Sequence, residues 1–337
     1  MTIAKKYVAT NPFVGEPKKT DFKIVEEELP ALLENEFLAE AAYISVDPYQ
    51  RVKLGTNYPC DVIGGQIAKI IESKNTEYPV GTWVMGHFGW RTHTISKPEN
   101  EKFCAQKPYL YKLPDFGDLP ISLALGICGR AGNTAYFGLT ELCQPNPGDT
   151  IVVSGAAGAV GTHVGQIAKI LGCRVIGFAG SDEKCDFLVK ELGFDSAANY
   201  KTAELNEFLK ANAPNGIDCY FDNVGGEISS IVLSQMNQYG RVAVCGAIST
   251  YNETDPEKRK ATVIQPFIVG KQLKIEGFQV NRFANRTMEG ISQNLKWVQE
   301  GKLKYKEYIS DGFESAVDAF IGLFRGENTG KAIVKFK

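Results

Sequence analysis

The chain has 337 residues, 44% hydrophobic and 23% charged, which is enough for two domains that each bury a core. Lys and Arg number 37 against 39 Asp and Glu, a net charge of −2, and that balance excludes the basic footprint of a nucleic-acid or anionic-membrane binder. No segment is long and apolar enough to span a bilayer as a helix, so neither nucleic acid nor a membrane is expected as a partner. The opening residues MTIAKKYVATNP lack the apolar core of a signal peptide. Cys60, Cys104, Cys128, Cys143, Cys173, Cys185, Cys219 and Cys245 are scattered without a CxxC pair and read as free thiols, so a cytoplasmic location is the expectation. The basic cluster Lys258-Arg259-Lys260 stands beside Asp255 and Glu257 and reads as a solvated loop or helix end.

Residues 1–122 read as β-rich. Strand candidates are 22–26, 37–46, 66–71, 83–85 and 90–95, separated by glycine-bearing turns. Pro12, Pro17, Pro30, Pro48, Pro59 and Pro79 argue against long helices, and short strands with frequent turns indicate a partly open barrel. Pro120 precedes the apolar run ISLALG; Gly126, Gly129 and Gly132 break it, and 133–143 reads as a second helix closed by Pro145 and Pro147.

From Thr150 the chain reads TIVVSGAAGAVGTHVGQIAKILG. A β-branched apolar run is followed by Gly155, Gly158 and Gly161, then by Val160, Val164, Ile167, Ala168 and Leu171 at helical spacing. Strand, glycine turn and helix open a dinucleotide-binding βαβ unit, in which glycine lets the backbone approach a pyrophosphate at a helix N-terminus. The spacing GxxGxxG is not the strict GxGxxG, and a turn whose glycines serve only packing is the alternative. Further strands are expected at 174–179, 197–200, 219–223, 241–245 and 273–278, with helices at 160–171, 183–192, 203–212 and 227–236. Six strands alternating with helices make an α/β fold with a doubly wound parallel sheet. The tail reads as helix 287–300, strand 303–309, helix 315–324 and strand 332–336; it does not extend the alternation and is expected to return to the first domain. The expected boundaries are 1–122, 123–308 and 309–337.

An NAD site carries an acid at the end of the second strand. Here that strand ends in Ala179-Gly180-Ser181, followed by Lys184, and Tyr200 ends the next strand. A small residue and a lysine favour NADP(H), although Ser181 also reads as a plain N-cap, Lys184 as a surface lysine, and Asp182 and Glu183 lie close by. Ligands in such sheets bind beyond the carboxyl ends of strands, where Asp222-Asn223-Val224-Gly225-Gly226, the run Cys245-Gly246-Ala247-Ile248-Ser249-Thr250-Tyr251, and Phe278-Gln279-Val280 stand.

No metal site is expected. The only histidines are His87 and His93, in a β segment without carboxylate or cysteine neighbours, and His163 on the flank of the nucleotide helix. No GxSxG nucleophile motif is present. The polar chemistry on offer is phenolic and amide, from Tyr49, Tyr251, Asn223 and Asn328. A tyrosine of ordinary pKa, ~10, is a hydrogen-bond donor at neutral pH and suits a developing oxyanion.

Together these motifs resemble the zinc-independent medium-chain dehydrogenases/reductases of the prostaglandin reductase (leukotriene 12-hydroxydehydrogenase, alkenal/one double-bond reductase) group, over nearly the full chain. The matching motifs are SVDPYQR at 45–51, GGQ at 64–66 where zinc relatives have GHE, LALG…TAYFGL at 123–139, AAGAVG at 156–161, GSDEK at 180–184, CYFDNVGGE at 219–227, CGAISTYN at 245–252 and the C-terminal GxNxGK at 326–331. The resemblance implies a GroES-like barrel followed by a Rossmann domain. It implies that Gly158, Ala159, Val160 and Gly161 hold the pyrophosphate and that Lys184 and Tyr200 bind the adenosine-phosphate end. Asn223 and the stretch Cys245 to Tyr251 would line the ribose and nicotinamide, with Phe278, Gln279, Val280 and Asn328 closing over the ring.

The implied activity is NADPH-dependent reduction of the C=C bond of α,β-unsaturated ketones and aldehydes, of the 15-oxoprostaglandin or alkenal type, with oxidation of a leukotriene hydroxyl also open. Hydride would reach the β-carbon, Tyr251 and a ribose hydroxyl would hold the carbonyl oxygen, and water would protonate the α-carbon. Tyr49, Arg130, Tyr251 and Asn281 are the candidate substrate contacts. Arg130 stands in Gly129-Arg130-Ala131-Gly132 where the group has GMPG, and meets either a substrate carboxylate or a surface acid. Asn281 replaces a tyrosine of the group, and the charged stretch 253–260 replaces a proline-rich loop, so the changes fall on the substrate side. A quinone reductase on the same fold and a nucleotide-binding protein without turnover are the alternatives. A homodimer pairing through the edge strand 273–278 is expected.

Overall fold

A computed structural model describes residues 2–54, 57–100, 102–103, 107–108, 110–255, 257 and 263–336. Cys104 and the cluster Lys258-Arg259-Lys260 lie outside the described residues. The chain forms two compact units, one of Met1–Leu125 with Glu307–Lys337 and one of Gly126–Lys306.

The first unit opens with β1 (Ile3–Ala9), which the sequence reading passed over, and β2 (Phe22–Glu28). They pair antiparallel, and β1 also pairs with β4 (Cys60–Asp61). β3 (Phe37–Ser45) pairs antiparallel with β5 (Gln66–Ser73), which pairs with β6 (Trp83–Gly86). The strand expected at 90–95 starts later, as β7 (His93–Ser96), paired with β3. Trp90 is instead a buried anchor, with Nε1 donating to the Ser45 carbonyl at 3.2 Å and its backbone N–H to Val62 at 2.9 Å. β8 (Lys102–Phe103), β9 (Lys107–Pro108) and β10 (Tyr111–Lys112) complete this stretch. A short helix, α1 (Tyr49–Lys53), follows Pro48 at its N-cap. The backbone bonds within the strands and the alternation of buried apolar side chains make this a sheet-built core around Trp90, Phe313 and Phe320.

The second unit starts with α2 (Arg130–Phe137), which continues through a π-helical turn, Gly138–Cys143. It begins before the expected residue 133 and includes Gly132, where a Cβ would sit 1.7 Å from the Ile127 carbonyl oxygen. That glycine allows close approach rather than breaking the helix. The sheet comprises β11 (Thr150–Val153), β12 (Arg174–Ala179), β13 (Ser196–Asn199), β14 (Ile217–Asp222), β15 (Met236–Val244) and β16 (Lys274–Gly277). All six are parallel, in the order β13-β12-β11-β14-β15-β16, as the alternating pattern requires. The connecting helices are α3 (Gly161–Ile170), α4 (Asp182–Lys190), α5 (Leu205–Asn212), α6 (Gly226–Ser234) and α7 (Gln265–Lys271), with α8 (Thr287–Gln299) after β16. α7 is not expected from the sequence, because its run QPFIVGK is too short for periodicity to decide; Pro266 sits in the first turn, where no amide donor is needed. β11 is buried at every position, and Val152, Ile176 and Tyr220 pack with the helices on one face.

The chain returns to the first unit through β17 (Glu307–Asp311), α9 (Ala316–Arg325) and β18 (Lys331–Lys335). The expected strand 303–309 is shifted because Lys302 and Leu303 donate their N–H groups to the Trp297 carbonyl and cap α8, while the Lys304 N–H bonds Gln166. β18 inserts between β3, antiparallel, and β17, parallel, giving the order β10-β6-β5-β3-β18-β17. Lys331, 2% exposed, donates to the Val46 and Ala332 carbonyls at 2.8 Å and to Asp47 at 3.0 Å. A buried ammonium is tolerable only with such a full set of acceptors.

Glu307, at the start of β17, accepts from the Ser122 hydroxyl at 2.8 Å through Oε2, whereas Oε1 is buried without a hydrogen-bond partner. Burial pushes its carboxyl above the usual range, outweighing Ser122 and Lys331. A carboxyl raised in the folded state contributes stability that is intact below its unfolded pKa and lost as pH rises through its folded pKa. Glu307→Gln is therefore expected to raise the melting temperature at about pH 8 by roughly 2–4 °C and to leave it unchanged near about pH 3.5. Thermal unfolding at the two pH values checks this, and a lower melting point at the higher pH would contradict it.

Candidate active site

The nucleotide turn is built by close packing. The chain leaves β11 at Ser154 and turns at Gly155, whose φ is +59°. At Gly161 a Cβ would fall 2.4 Å from the Gly155 carbonyl oxygen and 2.6 Å from the Ala156 Cα, so the first residue of α3 must be glycine. A Cβ at Gly158 would be 3.3 Å from the same oxygen. No acid stands in the first turn of α3, which leaves the positive end of the helix uncompensated by charge. Gly158, Ala159, Val160 and Gly161 thus form a side-chain-poor cradle at a helix N-terminus, and a dinucleotide pyrophosphate fits it. His163, inside α3, is buried and held neutral, its pKa pushed down to about 3 by desolvation.

The end of β12 decides between cofactors. At Gly180 there is no acid of the kind NAD sites carry, and a Cβ there would lie 3.1 Å from the Tyr200 hydroxyl, so the phenol packs over the bare backbone. Ser181 is the N-cap of α4, its hydroxyl accepting from the Lys184 N–H at 3.3 Å, and the plain capping role holds alongside any other. The Lys184 ammonium is pushed down by burial and then by the positive charge of Lys201. The Lys201 ammonium also lies 6.0 Å from the centre of the Tyr200 ring. Two mutually repelling lysines and a phenol around a glycine suit a phosphate monoester. The sequence reading missed Lys201; its position directly after Tyr200 was the available signal. Asp182 is turned to Asn199, whose amide donates to it at 2.9 Å.

The ends of β14 and β15 are laced together. The Asn223 side-chain amide donates to the Ser154 carbonyl at 2.8 Å. The N–H groups of Cys245 and Gly246 reach the Asp222 carbonyl at 2.8 and 3.1 Å. Ile248–Thr250 form a 3-10 turn, in which the Ser249 hydroxyl donates to Val224 O at 2.6 Å and Thr250 to Ala247 O at 2.9 Å. Tyr251 closes this turn: its hydroxyl accepts from the Ala247 N–H at 3.3 Å and stands 3.1 Å from where a Gly246 Cβ would be. Beyond β16, Phe278 packs its ring edge-on against Phe221, and Gln279 and Val280 follow it at the start of the 3-10 segment 280–286.

Arg130 and Asn281 come together, Nη1 donating to Oδ1 at 3.1 Å, while Asn281 Nδ2 is buried without a hydrogen-bond partner. Burial pushes the Cys245 thiol up to about 12, the Asp222 carboxylate adds to this, and the Arg130 guanidinium works against it. Arg130 and Asn281 thus share the second unit with Tyr251. Tyr49 and Asn328 belong to the first unit. The Tyr49 hydroxyl lies 3.1 Å from His87 Nε2, and the Asn328 amide donates to Gly330 O at 2.8 Å. The expectation that His93 has no carboxylate neighbour is corrected: cross-strand pairing with Glu40 places its Nε2 3.8 Å from that carboxylate. Among the described residues, no group of three or more His, Cys, Asp or Glu stands together that could hold a metal ion.

Two family models match the chain, one described as the N-terminal domain of oxidoreductase over residues 5–103 and one as a zinc-binding dehydrogenase over residues 159–297. Prostaglandin reductase 1 of Bos taurus is 48% identical over 99% of this chain and 100% of its own. The NADP(+)-dependent 2-alkenal reductase of Nicotiana tabacum is 37% identical over 98% of this chain and 96% of its own. The crystal structure of CurA from Vibrio vulnificus in complex with NADPH superposes with a TM-score of 0.89 at 36% identity, covering 99% of both chains. Full-length identity of this degree on the same two-part architecture means that the chain belongs to the prostaglandin reductase family of zinc-independent medium-chain dehydrogenases/reductases.

Proposed function

We propose that this protein reduces the C=C bond of α,β-unsaturated ketones and aldehydes with NADPH. Relatives named prostaglandin reductase 1 and 2-alkenal reductase, and the NADPH complex of CurA, support the reading. The observation that carries it is Tyr251. Its hydroxyl oxygen takes one hydrogen bond from the Ala247 N–H, so its own proton is left to donate outward from the end of β15. When bound, NADPH supplies the hydride. Tyr251 then stabilises the negative charge that builds on the carbonyl oxygen of the substrate, which is why the site needs a fixed donor rather than a metal-ligand set. The Gly158 to Gly161 cradle holds the pyrophosphate, Lys184, Lys201 and Tyr200 the 2′-phosphate end, and Asn223 with Cys245 to Tyr251 the nicotinamide half. Arg130 and Asn281 are proposed to shape the substrate side. Tyr49 for substrate and Asn328 for the nicotinamide are proposed on their motif match.

We further propose a cytoplasmic homodimer. Free thiols at Cys60, Cys128, Cys143, Cys173, Cys185, Cys219 and Cys245 suit a reducing compartment. β16 is an edge strand, and Val269 on the neighbouring α7 is 77% exposed, features that suit pairing of two sheets.

Tyr251→Phe is expected to lower turnover of a simple enone by roughly tenfold to a hundredfold while leaving the Kd for NADPH within about twofold. Steady-state kinetics with cofactor fluorescence titration measures both, and unchanged turnover would remove Tyr251 from the chemistry. Lys184→Ala is expected to weaken NADPH binding by about tenfold or more without altering NADH binding. An equal loss for both cofactors would overturn the assignment of the phosphate end.

A further inference from the structure

Asp222 ends β14, is 3% exposed, and makes none of the cofactor or substrate contacts assigned above. Five donors converge on its carboxylate. Oδ1 accepts from the Tyr220 hydroxyl at 2.8 Å, the Gly225 N–H at 2.8 Å, the Val224 N–H at 3.0 Å and the Ser154 hydroxyl at 3.1 Å; Oδ2 accepts from the Ser229 hydroxyl. The Ser154 oxygen in turn accepts the Asn223 N–H at 3.0 Å. The backbone carbonyl of Asp222 takes the Cys245 and Gly246 N–H groups. One residue therefore fixes the end of β11 just before the glycine turn, the 223–226 loop, and the start of the 245–251 segment.

The backbone of that loop needs fixing. Gly225 and Gly226 both have positive φ, +70° and +62°, and two consecutive glycines in this region have little conformational preference of their own. The carboxylate supplies the restraint from below, at the N-terminal end of α6, where the helix dipole favours an anion. The cost of burying this carboxylate is offset by the oriented donors that fill its lone pairs. Tyr220 is different from the other four donors. It is fully buried in the sheet core and comes from within β14, not from the loop or the helix that the carboxylate restrains.

We propose that Asp222 is the positioning residue for the nicotinamide half of the cofactor site, holding Asn223 and the Cys245 to Tyr251 segment in the geometry that NADPH meets. This rests on the NADPH reading above. An amide at 222 keeps the size but turns one acceptor into a donor facing Ser229 and removes the charge from the rest.

The test compares Asp222→Asn with Tyr220→Phe. Both change the same buried network, but only the first alters the acceptor that the Val224 and Gly225 N–H groups use. Asp222→Asn is expected to speed amide hydrogen exchange at Asn223, Val224 and Gly225 in the cofactor-free protein and to raise the Kd for NADPH by about tenfold. Tyr220→Phe is expected to lower the melting temperature comparably while keeping that Kd within about twofold. If Asp222→Asn binds NADPH like the wild type, or if Tyr220→Phe weakens binding equally, Asp222 is structural only and the proposal is overturned. Should Asp222→Asn fail to fold, Ser154→Ala, which removes both the acceptor of the Asn223 N–H and one of the five donors to Asp222, is expected to weaken NADPH binding in the same direction, and unchanged binding overturns the proposal. Cofactor fluorescence of the wild type separates the two readings. A wild type that binds no NADPH sinks both, and a wild type that binds it beside an equally competent Asp222→Asn sinks only the positioning role.

Discussion

The contact between Gly161 and the chain at Gly155 and Ala156 is the constraint on which the second unit depends. A strand and a helix joined by a short turn can lie this close only if no side chain intervenes, and the 2.4 Å gap that a Cβ would have to the Gly155 oxygen leaves no alternative residue. The same pattern recurs behind it: a Cβ at Gly165 would strike the Phe194 ring at 1.9 Å, and one at Gly177 would meet Ala156 and Phe194 at 3.0 Å. Helix and sheet are therefore pressed together along α3, and the amides at its start are presented at the rim of the sheet. The nucleotide turn is a consequence of this packing as much as a binding device.

Electrostatics then divides that rim. At the β12 end, Lys184 and Lys201 crowd their positive charges around Gly180 and Tyr200, an arrangement that stabilises an anion and is itself destabilised without one. At the β14 end the sign is reversed, but the Asp222 carboxylate is sealed beneath the loop by five donors. The negative charge organises backbone and is not displayed, whereas the positive charge is displayed. The first unit handles its buried charge in the same manner, with the Lys331 ammonium enclosed by two carbonyls and Asp47 and tying β18 to the segment that leads into α1.

Much of this was legible in the sequence. The short strand runs that alternate with helices, the glycine turn, the small residue at 180 with Lys184 four positions on, and Tyr251 after the fifth strand are local signals, and the six strands and the turn form where those signals stand. What sequence could not reveal were features set by partners distant along the chain. Trp90 reads as strand but is pinned by Ser45 and Val62; residues 302–304 read as strand but cap α8; α7 is too short for its period to register. Lys201 carries no motif and becomes notable only because β13 lies beside β12.

The sequence by itself therefore determined the fold class, the alternation of the six parallel strands with helices, and the type of cofactor chemistry, because periodicity, glycine placement and missing side chains act over a few residues. Only the tertiary structure decided which groups meet. It joined Ser154, Asp222 and Cys245, drawn from three separate strand ends, into one hydrogen-bonded unit, and it set Arg130 against Asn281 across 151 positions of chain. Parallel pairing brings the carboxyl ends of successive strands to one edge of the sheet, and no local property of the residues encodes which of them will face each other there.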